Sequence, residues 1–350
     1  MTGMSEADWN AAVTADVLEE RYGVVALVVE PVHMGTDTIN RRVLTDDGLR
    51  LFVKEYRSDT DLDAARTAWD MSEYCRAAGI PIPRVWDDAD GNLITIAQGS
   101  AWALVDEAPG RVTTSAMTVP LAESIGAAMG RMHRVLAAYP LPKNVQQSRW
   151  RTGTVEDALA KCNTVMATAM RQEHESLEQL RADLDQRRED LQNHVHRLRE
   201  NLPETLVEQA LHADLSRTNL IVLADVVTGV IDFRGATGMS AWELGRAAFD
   251  PRTVATSREW HTCALAMVSA YHAQNPSLPL TELRACARIA LLYMLFSFYG
   301  ATTAEYDLPQ EAEVDLRRHW NERQTTIRRL LNHLGDLDDA FARLGEGGGA

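Results

Sequence analysis

The chain has 350 residues, a formal net charge of −15 from 35 Lys and Arg against 50 Asp and Glu, and 45% hydrophobic residues. These fractions exclude a disordered chain, a collagen-like repeat and a coiled-coil rod, and the length predicts two domains or one large two-lobed unit. The excess of acid excludes a nucleic-acid partner held by bulk electrostatics, because phosphates bind basic surfaces, but it permits a cationic small molecule.

The cysteines and the hydropathy pattern bear on the compartment. The four cysteines are far apart in the chain and form no CxxC pair, which is typical of a reduced, intracellular protein. The first ten residues do not resemble a signal peptide, and the longest apolar stretch, 289–299, is too short to span a bilayer. We therefore expect a cytoplasmic protein without a membrane partner.

The first third of the chain is predicted to form a helix and then an antiparallel sheet with one inserted helix. The first helix ends at Gly23, and Asp46-Asp47-Gly48 is a hairpin turn signal. The second helix is expected at 61–78. Alternating and β-rich segments predict strands at 24–29, 40–44, 49–56, 92–97 and 100–105.

The chain beyond Gly110 is predicted to be mainly helical, with a flexible tail at 345–350. Helices are expected at 119–138, 155–170, 173–201, 256–274, 280–300 and 310–334. The helix at 173–201 carries a heptad stripe of leucines with a polar gap at Arg187 and Arg188. The stripe indicates a helix pair packed within the molecule or, alternatively, a dimer seam, so both a monomer and a homodimer stay open.

One strand-like interruption among these helices carries the residues of a phosphoryl-transfer site. Asp214 precedes Asn219 by five residues, an apolar strand follows at 220–223, and Asp232 lies in a second strand at 226–233. A hairpin can bring Asn219 and Asp232 together at its open end, beside Asp214. Transfer from ATP needs a group that orients and deprotonates a hydroxyl, and hard oxygen ligands for Mg²⁺. Asp214 can supply the first, and Asn219 and Asp232 the second.

The string His212-Ala213-Asp214-Leu215-x-x-x-Asn219, followed by Ile231-Asp232-Phe233, resembles the signature of the aminoglycoside phosphotransferase and choline kinase superfamily. The resemblance covers roughly residues 24–300. It implies an α+β, bilobal protein-kinase-like fold with a small antiparallel-sheet N-lobe and a mainly helical C-lobe. The implied boundaries are a nucleotide-binding lobe at 1–106, a hinge at 107–110 and a C-lobe at 111–344 with a helical insert at 154–206.

The same resemblance implies the residues that hold the nucleotide. Lys54, inside the third strand, resembles the lysine that grips the α- and β-phosphates. Thr36 lies in a loop where the nucleotide-covering loop belongs, although a plain hairpin turn is the alternative. The backbone C=O of Asp106 and N–H of Ala108 would hold the adenine edge, and Gly110 would permit the turn into the helical lobe.

The acid that pairs with this lysine in the family is missing from its usual register. Counted back from Gly79, that register falls at Ala68 and Trp69, which cannot form an ion pair, and the nearest acid is Asp70. His212 is expected to hold the loop by hydrogen bonding, and His133 to be a packing residue.

The leading function hypothesis is an ATP- and Mg²⁺-dependent O-phosphotransferase, with GTP not excluded, that acts on a small hydroxylated molecule. The acceptor is predicted to be an antibiotic of aminoglycoside, basic peptide or nucleoside type, since added charge and bulk would spoil its binding to a target. A metabolic kinase for choline, homoserine or a sugar and a non-catalytic kinase-like module are the alternatives. A cationic acceptor could bind acids of the helical lobe, which would otherwise be solvated surface charges: Glu243, Asp250, Glu305 and Glu311. By the family resemblance, Glu243 also stands where an acid braces the loop.

Overall fold

The computed structural model describes residues 6–32, 38–171, 176–302 and 310–344. The chain divides into two compact units. The first unit runs to Val112 and also takes in Asn219–Leu223 and Val227–Gly235. The second comprises Thr113–Thr218, Ala224–Val226 and the chain from Ala236 onward. The strands predicted around the phosphoryl-transfer motif therefore belong mostly to the N-terminal unit.

The described helices are α1 (Glu6–Tyr22), α2 (Leu62–Ala77), α3 (Val119–Leu136), α4 (Arg149–Thr152), α5 (Val155–Arg171), α6 (Leu177–Glu200), α7 (Ser240–Ala248), α8 (Pro251–Thr256), α9 (Trp260–Gln274), α10 (Leu280–Phe296) and α11 (Gln310–Ala342). The described strands are β1 (Ala26–Val32), β2 (Thr38–Thr45), β3 (Arg50–Tyr56), β4 (Val85–Trp86), β5 (Thr95–Ala97), β6 (Ser100–Asp106), β7 (Arg111–Val112), β8 (Glu208–Leu211), β9 (Leu220–Leu223), β10 (Val226–Val230) and β11 (Ala236–Met239).

The first unit is built on an antiparallel sheet in the order β1-β2-β3-β6-β4, with β5 also paired to β6. Strand β3 lies inside this sheet, and Lys54 is in register with Asn40 on one side and Ala103 on the other. Leu51 and Val53 alternate with Lys54 along the strand and are buried. They share a hydrophobic core with residues of α1, β2 and β6. Burial of this face fixes the register that presents Lys54.

A second, three-stranded sheet in the order β10-β9-β7 follows the segment 107–110. Gly110 has a φ of +118°, and a Cβ there would lie 2.5 Å from the carbonyl oxygen of Val222 in β9. Both the backbone conformation and the close approach require glycine at this position, which leads into β7. Gly229 of β10 packs against Ala108. A Cβ placed at position 229 would lie 2.8 Å from the Cβ of Ala108.

The second unit is mainly helical. Helices α3 and α9 approach so closely that a Cβ at Gly126 would lie 2.1 Å from the carbonyl oxygen of Met267. Strands β8 and β11 form an antiparallel pair with Leu211 opposite Ala236. This pair lies at the entry to the loop that carries Asp214, and α7 begins directly after β11.

The insert consists of α5 and α6, which pack against each other, and α6 also packs against α10. Leu180, Leu184 and Leu191 of the heptad stripe are buried within this chain. The packing within the molecule that the stripe predicted is thus found. The polar gap in the stripe is filled by Arg187, which is buried and donates to the carbonyl oxygens of Met294 and Leu295 at 2.7 and 3.0 Å.

Several elements differ from the sequence-based expectation. The short strands β4, β7, β8 and β11 were not predicted, because two to four residues carry too little periodicity to be recognised. The helix expected at 256–274 is α9, which begins only at Trp260. A separate helix, α8, precedes it and is capped by Asp250. The strand expected at 226–233 ends at Val230, since Asp232 has a φ of +60°. The tail at 345–350 lies outside the described residues. Among the helices of the described residues, none is both long enough and apolar enough to cross a membrane.

Candidate active site

Lys54 and Asp232 form an ion pair within the first unit. The lysine side chain is 15% exposed and the aspartate side chain 45% exposed. The ammonium also lies over the ring of Trp69 on α2, with 5.6 Å between Nζ and the ring centroid. The chain contains three lysines against 32 arginines, so Lys54 is of the rarer kind of basic residue. A lysine ammonium is a compact point charge, which suits a single phosphate oxygen better than a planar guanidinium does.

Asp232 is held by the hairpin of β9 and β10. The N–H of Ile231 donates to the carbonyl oxygen of Asn219 at 3.0 Å, and the N–H of Val230 donates to that of Pro81 at 2.8 Å. A non-glycine residue with a φ of +60° is uncommon and costs about 1 kcal/mol or more, so the surrounding bonds must impose this conformation. The structure thus holds Lys54, Asn219 and Asp232 in one unit.

The donor set of Asn219 and Asp232 fits Mg²⁺. An amide oxygen and a carboxylate are both hard ligands, and Mg²⁺ in kinases is ordinarily held by one or two such side chains together with phosphates and water. The Asp232 carboxylate is partly exposed and hence accessible. Asn219 is 8% exposed, which limits the orientations its amide can adopt.

The segment expected to hold adenine is braced by its neighbours in the first unit. The N–H groups of Asp106 and Glu107 donate to the carbonyl oxygens of Arg84 and Arg50 at 2.9 and 3.0 Å. The Asp106 carboxylate accepts the indole N–H of Trp86 at 2.8 Å. Burial raises the pKa of Glu107, but hydrogen bonds from Arg50 and Arg42 outweigh burial and lower it. Thr36, the other nucleotide residue predicted, lies outside the described residues.

Asp214 lies in the second unit, in a loop under backbone strain. Ala213, immediately before it, has a φ of +70°. The N–H of Ala213 donates to Oε1 of Glu243 at 2.6 Å, and the N–H of Asp214 donates to Nδ1 of His212 at 3.2 Å. His212 therefore holds the loop by hydrogen bonding, as expected. Strain of this kind persists only where other contacts determine the backbone.

Glu243 is the centre of a buried network in the second unit. Its Oε2 lies 2.9 Å from Nε2 of His133, whose Nδ1 lies 2.9 Å from the hydroxyl of Tyr271. Burial raises the pKa of Glu243, but the hydrogen bond and charge of His133, with charges of His212 and Arg246, outweigh it and lower the pKa. A buried carboxylate of this kind is stabilised only when both oxygens are paired. His133 was expected to be a packing residue, but it also pairs with Glu243 and Tyr271 in this network.

Arg246 is a site residue that the sequence did not reveal. Its Nη2 lies 3.3 Å from Oδ1 of Asp214, and its guanidinium stacks 5.0 and 5.5 Å from the rings of Trp242 and Tyr293. Burial lowers the pKa of Arg246, but the charges of Tyr293, Asp214 and Glu243 outweigh it and raise the pKa. The ion pair fixes the orientation of the Asp214 carboxylate. A lone arginine on a helix gives no sequence signal for such a role.

Two of the four acids considered for a cationic acceptor, Glu243 and Asp250, have other partners. Glu243 is fully buried and braces the Asp214 loop, which is the role that its place in the family pattern implied, so it is neither an acceptor-binding acid nor a solvated surface charge. Asp250 accepts the N–H of Thr253 at 2.9 Å as the cap of α8 and lies 3.6 Å from Nε of Arg217. Glu305 and the side chain of Glu311 lie outside the described residues.

Comparison with known proteins places the chain in a family. The model of the phosphotransferase enzyme family matches residues 28–284. The chain belongs to this family. The resemblance drawn from the His212–Asn219 and Ile231–Phe233 motifs is thereby confirmed, and so is the α+β fold class with an N-terminal antiparallel sheet and a mainly helical remainder.

The chain is similar to three proteins of known activity or structure. The homoserine kinase of Zymomonas mobilis is 26% identical over 231 residues, a match that covers 63% of this chain and 63% of that protein's own length. A crystal structure of an aminoglycoside phosphotransferase from Alicyclobacillus acidocaldarius is 12% identical with a TM-score of 0.66, covering 93% of this chain and 96% of that one. A spectinomycin phosphotransferase, solved with ADP and spectinomycin, is 13% identical with a TM-score of 0.63, covering 92% and 97%. The structural likeness shows a shared fold.

Proposed function

We propose that this member of the phosphotransferase family transfers the γ-phosphoryl group of ATP to a hydroxyl group of a small molecule. The observation that carries the proposal is the ion pair of Lys54 with Asp232, beside Asn219 on the same hairpin. A cation for phosphate and two oxygen donors for a metal are the parts that phosphoryl transfer requires of a protein.

Each of these residues has a proposed task on the nucleotide. Lys54 binds the α- and β-phosphates, and the C=O of Asp106 with the N–H of Ala108 binds the adenine edge. Asn219 and Asp232 hold Mg²⁺, which when bound neutralises charge on the phosphates. A guanine base in place of adenine is the alternative for the nucleotide. The spectinomycin phosphotransferase of the same fold was solved with ADP, which supports an adenine nucleotide.

Asp214 has the proposed task of orienting the acceptor. Its carboxylate accepts the proton of the acceptor hydroxyl as the hydroxyl oxygen forms a bond to the γ-phosphorus, and the bond from that phosphorus to the bridging oxygen of ADP breaks. The ion pair with Arg246 and the bond from Ala213 to Glu243 hold this carboxylate in one orientation. Because ATP is the proposed donor, we expect the protein to act in the cytoplasm.

We propose an antibiotic as the acceptor, in line with the aminoglycoside and spectinomycin phosphotransferases that share the fold. A metabolic alcohol is the second candidate, and the similarity to a homoserine kinase specifically supports it. Both candidates use the same donor chemistry and differ in the acceptor, so one assay separates them.

The test is ATP turnover by the full chain with Mg²⁺ against a panel of aminoglycosides, spectinomycin, basic peptides and nucleosides on one side and homoserine, choline and sugars on the other. We expect turnover with one class and a stoichiometric phosphorylated product by mass spectrometry. Asp214→Asn should bind ATP normally yet lose at least about 100-fold in kcat. Turnover with none of the acceptors, together with an Asp214→Ala variant that keeps the biological effect of the protein, would establish a non-catalytic module instead.

A further inference from the structure

We propose that the indole ring of Trp69 is the positioning partner of the Lys54 ammonium and takes the place of the carboxylate expected on helix α2. This inference rests on the proposed function and deepens it, because it identifies what holds the phosphate-binding cation in place.

The geometry is that of a cation–π contact. Nζ of Lys54 lies 5.6 Å from the centroid of the Trp69 ring, and the lysine side chain is 15% exposed. Ammonium groups within about 6 Å of an indole face are attracted by its quadrupole, by about 0.5–2 kcal/mol depending on desolvation, and Trp is the strongest of the aromatic partners.

The ring is itself fixed by a second residue of β3. The indole N–H of Trp69 donates to the hydroxyl oxygen of Tyr56 at 2.6 Å. Tyr56 follows Lys54 by two positions on the strand, so both side chains stand on the same face of the sheet. Burial raises the pKa of Tyr56 to about 12, so its phenol is neutral at physiological pH. The strand therefore supplies both the cation and the anchor of the ring that holds it.

The acids of α2 point elsewhere. Glu73 pairs with Arg76 at 2.7 Å and accepts the N–H of Val85 at 3.0 Å, and Asp63 pairs with Arg66 at 2.8 Å. Asp70 is exposed and lines a groove with Glu73 and Arg84. Successive residues on a helix are about 100° apart, so a helix that directs Trp69 at β3 turns Asp70 away from it. The expectation that Asp70 might substitute for the missing acid is thus replaced by a neutral aromatic partner.

A neutral partner has a chemical consequence at this site. Lys54 pairs with Asp232, which is also the proposed metal ligand. A carboxylate drawn toward a divalent cation gives up part of its attraction for the ammonium, whereas the ring keeps its own. An aromatic partner also adds no negative charge near the phosphates. Trp69 would therefore keep the ammonium in place while Asp232 changes its partner.

The chain's three lysines permit a direct spectroscopic test, since ε-¹³C-lysine labelling of the full-length protein gives only three sites. We expect the Lys54 ε-proton signal, assigned with Lys54→Met, to lie upfield because of the Trp69 ring. The upfield shift should vanish in Trp69→Leu, persist in Trp69→Phe and be unaffected by Tyr74→Leu. Tyr74 is a matched control, because it is an exposed aromatic residue on the same helix. Tyr56→Phe, which releases the anchor, should give an intermediate shift.

Nucleotide affinity, measured by calorimetry without acceptor, supplies the second readout. Trp69→Leu should weaken ATP binding by about fivefold, Trp69→Phe by less than about twofold, and Tyr74→Leu not at all. In a Lys54→Met background, Trp69→Leu should cause no further loss, since the two residues act through each other. If Trp69→Leu proves unstable, Tyr56→Phe carries the same comparison.

An unshifted Lys54 signal in the native protein, or equal effects of Trp69→Leu and Trp69→Phe on ATP affinity, would overturn the inference in favour of a purely steric role. Both readouts are independent of turnover. A chain without any acceptor activity that still shows the shift and the affinity pattern would retain this inference while losing the proposed function. A turnover-competent chain without them would retain the function and lose the inference.

Discussion

Glu243 accepts the backbone N–H of Ala213 at 2.6 Å, and this bond fixes the residue that immediately precedes Asp214. Ala213 has a φ of +70°, a region that costs an alanine about 1 kcal/mol or more. The carboxylate that imposes this conformation is fully buried and is held on its other oxygen by His133 at 2.9 Å. The loop geometry is therefore determined from α7 and α3, far from Asp214 in the chain.

The first prediction concerns this brace. Glu243→Ala should lower kcat by about 10- to 100-fold and the free energy of unfolding by about 2–4 kcal/mol, because Ala213 loses its bond and the buried Nε2 of His133 loses its partner. Glu123→Ala, on the exposed face of α3, is the matched control and should leave both unchanged. Steady-state kinetics and urea denaturation measure the two effects. A stable Glu243→Ala variant with normal kcat would show that the loop keeps its conformation without the brace.

The second prediction separates charge from backbone conformation at Asp232. Asp232→Asn should keep the left-handed conformation, which Asn also tolerates, but lose the ion pair with Lys54 and the charge of the proposed metal ligand. We expect ATP binding to lose its dependence on Mg²⁺ and kcat to fall at least about 100-fold, with little change in melting temperature. Asp225→Asn is the matched control, since Asp225 has a φ of +63° in the turn between β9 and β10. Equal Mg²⁺ dependence of ATP binding in the two variants would show that a residue other than Asp232 holds the metal.

The third prediction concerns the buried guanidinium of α6. Burial, with the charge of Arg323, lowers the pKa of Arg187 to about 9, so the group is still protonated at neutral pH. It donates to the carbonyl oxygens at the end of α10 and stacks on Trp320 at 5.2 Å. Arg187→Met removes a buried donor from the carbonyls of Met294 and Leu295, of which that of Met294 keeps the N–H of Ser297 at 3.3 Å, and should cost about 3 kcal/mol of stability. Arg181→Met, exposed on the same helix, should cost less than about 0.5 kcal/mol in the same denaturant titration.

The fourth prediction is a pH dependence of stability that His319 causes. Burial, followed by the charges of Arg323, Arg246, Arg217 and Arg252, lowers the pKa of His319 to about 3. The unfolded chain, with a histidine pKa of about 6.5, binds this proton more readily than the folded chain. The stabilisation is therefore present above pH 6.5 or so and is lost progressively as the pH falls towards 3, by at most about 1.4 kcal/mol per pH unit. Between pH 7.5 and 4.5, the melting temperature should fall less steeply with decreasing pH for His319→Gln than for the native chain. Parallel curves would show that His319 is solvated.

Much of the proposed nucleotide chemistry was accessible from the sequence because it is encoded locally. Asn219 and Asp232 lie at the two ends of one hairpin, and a hairpin joins its own ends whatever surrounds it. Lys54 alternates with buried Leu51 and Val53, so its position on the accessible face followed from the period of a strand. Contacts between remote segments were not accessible in this way. Arg246 on α7 pairs with Asp214 in the loop after β8, and no local sequence pattern predicts this contact.

The helical insert shows the same limit. The heptad stripe of α6 predicted a buried face, and its leucines are buried. The polar gap was read as an interruption, yet Arg187 is buried there because the carbonyl groups at the end of α10 need donors. The need arises from a segment about a hundred residues further along the chain, so the stripe itself does not contain it.

The amino-acid sequence by itself determined the family, the order of a β-rich and a helical part, and the residues proposed to bind phosphate, hold the metal and accept the proton. It did so because strand periodicity, turn chemistry and a short motif act over a few neighbouring residues. The tertiary structure alone decided which partners hold those residues. It gave Lys54 the ring of Trp69, and it gave Asp214 the guanidinium of Arg246. Charge and burial depend on what packs against a side chain, and that neighbourhood is assembled from segments far apart in the chain.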